Sequence, residues 1–172
     1  MRRLLLFSVL ITIVLASCSK TNKSTIAPEA AISATIDGVN MTFNSKDSVR
    51  TVGSTVIYLA GSNDTTSNKI MIYIINPSKV DTGTYSSNAP DSRDLEILYG
   101  VGPGNTPDNV FYTYDIADGA SFDATLKVTS VTSTNIKGTF SGKVVLESSV
   151  LTANPVTKTI TNGKFNLAIK QP

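Results

Sequence analysis

Acidic side chains concentrate in one short segment of this 172-residue chain and are its first candidates for chemistry. Asp115, Asp118 and Asp123 lie close together in sequence. Calcium takes about six to eight oxygen ligands, and three carboxylates with neighbouring carbonyls can supply several. The spacing differs from that of an EF-hand loop, because Ala117 and Gly119 occupy its third and fifth positions. We therefore favour an Asp- and Gly-rich turn between strands, with a calcium site as the alternative.

The composition removes most catalytic arrangements. The chain has no His and a single Cys, which excludes Ser-His-Asp triads, Cys-His pairs, His-ligated metals and intrachain disulfides. Glu96 and Glu147 fall at outward positions of predicted strands, so they do not indicate the paired carboxylates of a glycosidase. No motif marks a Ser-Lys nucleophile. We expect a non-enzymatic protein without a cofactor or a metal, and a hydrolase is the less favoured alternative.

Aromatic residues give the one hint of ligand binding. Tyr99, Phe111, Tyr112 and Tyr114 flank a loop over residues 102–109 that is dense in Gly, Pro and Asn. Tyrosine rings on a solvent-facing sheet beside this loop could stack on sugars or hold a peptide. The chain has no Trp, the usual platform for sugars, and this weakens the hypothesis. We favour the alternative, in which these rings are core with their hydroxyls reaching the surface.

The N-terminus carries the most specific motif. Arg2 and Arg3 precede the apolar run Leu4–Leu15, which is too short to cross a hydrocarbon core of ~30 Å as a helix. A basic front, a short apolar run and small residues behind it are typical of a secretory signal peptide. The next residues, Leu15-Ala16-Ser17-Cys18, resemble the bacterial lipobox, in which a branched apolar residue and two small ones precede an acylated cysteine. We predict that residues 1–17 are removed and that Cys18 is lipidated.

Lipidation would make this protein a membrane-anchored lipoprotein. Each buried methylene adds about 0.8 kcal/mol to membrane partitioning, so two or three acyl chains such as palmitate anchor stably. A plain cleaved signal with an incidental cysteine and an uncleaved anchor are the alternatives. In enteric bacteria, an Asp directly after the lipidated cysteine retains a lipoprotein at the inner membrane. Ser19 stands at this position here, which by analogy favours the outer membrane. No acidic residue occurs in Ser19–Thr25, so we favour the periplasmic leaflet over the cell surface.

The charge of the chain belongs to its signal peptide. The whole chain has 15 Lys and Arg against 13 Asp and Glu, and removal of Arg2 and Arg3 equalises them. No basic run suggests nucleic acid. We expect the membrane as a partner through Cys18, together with a glycan or an envelope protein. Residues 18–30 are polar and predict a flexible tether, and residues 31–172 predict one β-domain.

The β-domain opens with a hairpin pattern around Asp37-Gly38. An Asp-Gly pair favours a two-residue type I′ turn, because both central residues need positive φ. The turn pairs residue 36 with 39, 34 with 41 and 32 with 43. This register places six apolar residues on one face: Ile32, Ala34, Ile36, Val39, Met41 and Phe43.

Further strand patterns continue to the C-terminus. The runs at residues 55–61 and 69–76 are apolar at both alternating sets of positions, which predicts strands covered on both faces or packed on a loop. Phe140 belongs to the inward face of a long strand, and Asn162-Gly163 predicts a last hairpin that pairs Ile160 with Phe165. No helical stripe appears. We predict a β-sandwich of about eight to ten mostly antiparallel strands, with a partly closed β-barrel as the alternative.

Two C-terminal segments resemble motifs of a known family. Gly138–Gly142 reads GTFSG, and Ile160–Phe165 reads ITNGKF. With the lipobox and the opening hairpin, they are similar to uncharacterised Bacteroidota lipoproteins, whose all-β domain has no determined function. The likeness covers most of the chain after the signal peptide. Because these motifs are turns and core aromatic residues, the resemblance implies a fold and supplies no catalytic residue.

Overall fold

The computed structural model describes residues 31–44, 49–52, 55–88, 94–115 and 121–169. Within these ranges the chain forms strands joined by turns and one short 3₁₀ segment at Glu147–Ser149. None of the described helical segments is long and apolar enough to cross a membrane. The strands are β1 Ala31–Ile36, β2 Val39–Asn44, β3 Val49–Val52, β4 Val56–Ser62, β5 Lys69–Ile75, β6 Gly83–Ser86, β7 Leu95–Gly100, β8 Val110–Tyr112, β9 Tyr114–Asp115, β10 Ser121–Phe122, β11 Ala124–Val131, β12 Asn135–Leu146 and β13 Thr157–Ala168.

The main sheet closes into an eight-stranded antiparallel barrel. Its neighbours run β13-β1-β2-β4-β5-β7-β8-β12, and β12 pairs with β13 to complete the ring. β11 and β6 extend from β12, β3 pairs with β4, and β9 and β10 form a separate ribbon. The all-β prediction is confirmed, and of the two architectures that the sequence allowed the structure has the barrel.

Side chains fill the interior of the barrel. Alternate residues of each strand point inward, so β1 and β5 bury every second position. Phe43 and Ile72 are fully buried, and the predicted inward residue Phe140 is 3% exposed. An eight-stranded barrel has an interior just wide enough for such packing. The core therefore occupies the space in which a wider barrel would hold a ligand.

The first hairpin has the predicted register. Ile36 pairs with Val39, Ala34 with Met41 and Ile32 with Phe43. Asp37 and Gly38 have φ values of 48° and 84°, as a type I′ turn requires. Val39 lies at the end of the barrel, and it is 57% exposed although it shares the inward face.

The Asn162-Gly163 prediction was wrong, because these residues form a bulge within β13 instead of a hairpin turn. Residues 157–168 make one continuous strand that pairs with β12 on one side and β1 on the other. Opposite β1, the register passes from Ser33–Lys164 to Thr35–Thr161, so two residues oppose Ala34. Asn162 has a φ of 53°, which accommodates the extra residue. The proposed Ile160–Phe165 pair does not form.

The two ends of the barrel carry different connections. The turns at residues 37–38, 63–68, 101–109 and 147–156 lie at one end, because successive strands are antiparallel. Ala31 and Ile169, where the barrel begins and ends, lie at the other. Ala31, the first described residue, therefore lies at the end opposite these turns.

Candidate functional site

The predicted aromatic residues separate into buried and outward positions. Tyr99 and Phe111 lie in the core at 2% and 5% exposure, with ring centroids 6.2 Å apart. Asn68 Nδ2 donates a hydrogen bond to Tyr99 Oη at 2.8 Å. Burial raises the pKa of Tyr99, and the negative charge of Asp37 adds to this effect. These two rings present no face to a ligand, which corrects the part of the stacking hypothesis that used them.

Of the other two predicted aromatic residues, only Tyr112 has a described side chain. Tyr112 points outward from β8 and is half-buried. Tyr114 begins β9, and its side chain lies outside what the structure describes. Tyr112 thus remains a candidate, with new neighbours on the outside of the barrel.

The predicted acidic residues are partly outside the described ranges. Asp115 pairs with Ser121 in the β9–β10 ribbon, and Asp123 is exposed just after it, whereas Asp118 is not described. Within the described ranges, no group of three or more Cys, Asp or Glu side chains could hold a metal ion. Because Asp118 lies outside the described residues, the choice between an Asp- and Gly-rich turn and a calcium site stays a prediction.

The remaining predicted residues are a pair of glutamates and the lipidation site. Glu96 and Glu147 are both exposed. Glu96 lies at an outward position of β7 as predicted, whereas Glu147 begins the 3₁₀ segment that follows β12 and is not part of a strand. Cys18 precedes the described residues, so its lipidation stays a prediction.

Tyrosines missed by the sequence analysis meet on the outer wall formed by β4, β5 and β7. Tyr58 pairs with Tyr73, and Tyr73 pairs with Glu96 on its other side. The two rings are half-buried, with centroids 4.9 Å apart and planes inclined by 42°. Aromatic cross-strand pairs of this kind fix the orientation of both rings.

A second row of outward side chains runs parallel to the first. Met71 pairs with Leu98, and Leu98 pairs with Tyr112. All three are half-buried, and Tyr112 in turn lies opposite the buried Val145. We call the two rows together the tyrosine face: Tyr58, Tyr73, Glu96, Met71, Leu98 and Tyr112. These strands are thus fully covered inside the barrel and half-covered outside.

Glu96 is the ionisable group of this face. Glu96 is exposed, yet partial desolvation of its carboxyl group against the sheet raises the pKa of Glu96, and the nearby charge of Asp94 raises it further. A carboxylate accepts hydrogen bonds from hydroxyl groups, while aromatic rings contact the apolar faces of sugars. The combination can hold a polyhydroxylated ligand against the outside of the barrel.

A sequence signal for Tyr58 and Tyr73 exists. Both lie four residues from the ends of the strands that flank the turn at residues 63–68, so a symmetric hairpin pairs them. Both runs are apolar at both alternating sets of positions, so the apolar pattern alone does not separate inward from outward residues. Comparison of the chain with models of protein families, with curated proteins and with solved structures gives no match.

Proposed function

We propose that this protein is a lipid-anchored, non-enzymatic binding protein of the bacterial cell envelope. The observation that carries the proposal is Leu15-Ala16-Ser17-Cys18 directly after a short apolar run with a basic front. Acylated Cys18 holds the protein on the outer membrane, in the periplasmic leaflet. The likeness of its C-terminal motifs to uncharacterised Bacteroidota lipoproteins supports the same location.

The binding surface that we propose is the tyrosine face, and the ligand class is a glycan. The filled interior directs binding to the outside of the barrel. On this wall, Tyr73 lies between a second ring and the Glu96 carboxylate. Two neighbouring rows of outward side chains suit an extended chain of sugars, because several sugar units can be contacted at once.

Intact-mass analysis of protein isolated from its own bacterium tests the anchor. We expect a chain that begins at Cys18 and carries the mass of two or three acyl chains. Replacement Cys18→Ser should leave unprocessed protein without this added mass. A mature chain with an unmodified thiol would refute the anchor assignment.

Recovery of envelope glycans tests the binding surface. Protein purified from native envelopes should retain glycans detectable by mass spectrometry, and Tyr73→Ala should reduce the amount at least tenfold. Lys79→Ala, an exposed change in the loop after β5, is the matched control and should retain them. Equal recovery with Tyr73→Ala, or recovery of peptides in place of glycans, would contradict this ligand class.

A further inference from the structure

Three lysines from separate strands lie side by side on the outer wall opposite the tyrosine face. Lys127 of β11 and Lys164 of β13 both pair with Thr139 of β12, which lies between them. Neighbouring strands are about 4.8 Å apart, so the two lysine backbones are separated by about 10 Å. Lys137 lies two residues before Thr139, on the same face, and all three lysines are exposed. We call Lys127, Lys137 and Lys164 with Thr139 the lysine face.

The neighbours of these lysines in the sheet are hydroxyl and amide side chains. Lys127 also pairs with Thr84, Lys164 with Ser33, and Lys137 with Asn166. The register therefore places no carboxylate directly beside any of the three in the described strands. Such a surface offers three positive charges and several hydrogen-bond donors to an anion with many oxygens, such as a phosphate group.

Two open depressions follow the lysine face along the sheet. One has a volume of about 580 Å³ and is bordered by Lys137, Thr139 and Lys164. The other, of about 340 Å³, lies between Lys127, Thr139 and Lys164. Because they share Thr139 and Lys164, they form one continuous concave strip.

The strip reaches the point at which the chain enters the barrel. Ala31, the first residue of β1, borders the larger depression. Residues 18–30 connect Ala31 to Cys18, and thirteen residues reach at most about 45 Å even when fully extended. An anchor at Cys18 therefore keeps the lysine face close to the headgroups of the same membrane.

We propose that the lysine face docks on the phosphate groups of anionic lipids in the membrane that anchors Cys18. The inference rests on the proposed anchoring, and it adds an orientation. β13 lies opposite β5 in the ring of eight strands, so docking of the lysine face turns the tyrosine face away from the bilayer. The barrel would then present its glycan-binding wall to the aqueous space.

Coupling through Cys18 provides a direct test. The chain from residue 18 to residue 172 contains the whole described barrel and a single thiol, which can be joined to a maleimide lipid in vesicles. The lysines are then labelled with an added acylating reagent, and mass spectrometry measures how fast each one reacts on phosphatidylglycerol and on phosphatidylcholine vesicles. We expect the three lysines of the face to react about fivefold more slowly on the anionic vesicles. Lys69 and Lys79, which lie off the face, should react equally on both. Equal reactivity of all lysines on the two vesicles would overturn the proposal.

A pair of matched double variants locates the contact. K127Q/K164Q should reduce the protection of Lys137 to less than about twofold, since each lost lysine weakens attraction to an anionic surface. K69Q/K79Q removes the same charge and should leave that protection unchanged. Loss of protection in both variants would show a general charge effect and would overturn the docking face.

Because the maleimide lipid takes the place of the natural anchor, the vesicle test does not depend on whether Cys18 is lipidated in the bacterium. Finding Cys18 without lipid in the bacterium would refute the anchor and leave the vesicle result unaffected. Soluble polyphosphate serves as a further probe. If it protected the three lysines on neutral vesicles while anionic vesicles did not, the face would bind a soluble polyanion and membrane docking would be refuted.

Discussion

Two dipeptides of similar type, Asp37-Gly38 and Asn162-Gly163, direct the chain in different ways. In both, the first residue is left-handed, with φ values of 48° and 53°. After Asp37-Gly38 the chain reverses into β2, whereas at Asn162-Gly163 it bulges and continues along β13. Gly38 also has a positive φ, and Gly163 does not. One left-handed residue accommodates an extra residue in a strand, and two are needed for a type I′ reversal.

The surroundings explain which outcome each dipeptide has. On both sides of Asp37-Gly38, apolar and polar residues alternate so that one register places the apolar residues of both strands on the same face. Each strand of the hairpin therefore pairs with its neighbour in sequence. Around Asn162-Gly163 both edges of the chain are taken by other strands, β12 on one side and β1 on the other. Gly163 packs directly over Phe140. Each dipeptide allows a left-handed backbone conformation, and the strands that pair on either side determine whether the chain reverses there.

Among the changes that test this comparison, removal of the aromatic ring beneath the bulge should lower the stability most. Phe140 is 3% exposed and lies opposite Gly163. Phe140→Ala should lower the free energy of unfolding by about 3–5 kcal/mol, because it leaves a cavity in the core. Urea denaturation of the chain from residue 18 on measures the change. A loss below about 1 kcal/mol would mean that the ring is not part of the core.

A methyl group added at the bulge should have the next largest effect. A Cβ at position 163 would clash with the Phe140 carbonyl oxygen and lie 2.6 Å from the Phe140 ring. Gly163→Ala should therefore cost about 1–3 kcal/mol, since backbone and ring must both move. The same denaturation experiment measures it. A neutral result would contradict the close packing of the two strands.

The contrast also shows which parts of the fold the sequence could predict. The first hairpin follows from residues 32–43 alone, since turn chemistry and alternation agree there. Closure of the barrel depends on pairing β1 with β13, more than a hundred residues away in sequence. Alternation assigns faces to each strand and contains no information about such distant partners. The sequence therefore predicted strands and left sandwich and barrel open.

The same limit applies to the candidate surfaces. Lys127, Lys137 and Lys164 form no basic run in the sequence, and they meet because β11, β12 and β13 are neighbours. Tyr99 and Phe111 are close in sequence to Tyr112, yet alternation in their short strands takes them inside the barrel. Composition excluded sites that need histidine or several cysteines, but the grouping of side chains on a wall required the register.

A methyl group at the true turn should cost less than one at the bulge. A Cβ at Gly38 would meet nothing within 4 Å, so the only penalty is the φ of +84°. Gly38→Ala should lower stability by about 1 kcal/mol through backbone strain. Parallel denaturation of both glycine variants compares them. A larger loss at Gly38 than at Gly163 would reverse our assignment of turn and bulge.

The smallest expected effect concerns the contact that joins the turn to the strand containing the bulge. The Asp37 carboxylate accepts hydrogen bonds from the Thr159 backbone N–H at 2.8 Å and from Lys158 Nζ at 3.0 Å. Lys158 points toward the end of the barrel, where its amine lies 5.2 Å from the centre of the Phe111 ring. The Thr159 hydrogen bond, assisted by Lys158, lowers the pKa of Asp37.

This lowered pKa makes the contact dependent on pH. Its stabilisation is present above the unfolded pKa of about 3.9 and is lost as the pH falls through the lower folded value. Asp37→Asn should therefore destabilise the protein at pH 7 and make little difference near pH 2. The loss at pH 7 should stay below about 1 kcal/mol, since the Asp37 side chain is 44% exposed and solvent screens the pair. Urea denaturation from pH 7 to pH 2 measures both proteins. A difference that stayed constant over this range would show that the carboxylate charge does not hold the turn against β13.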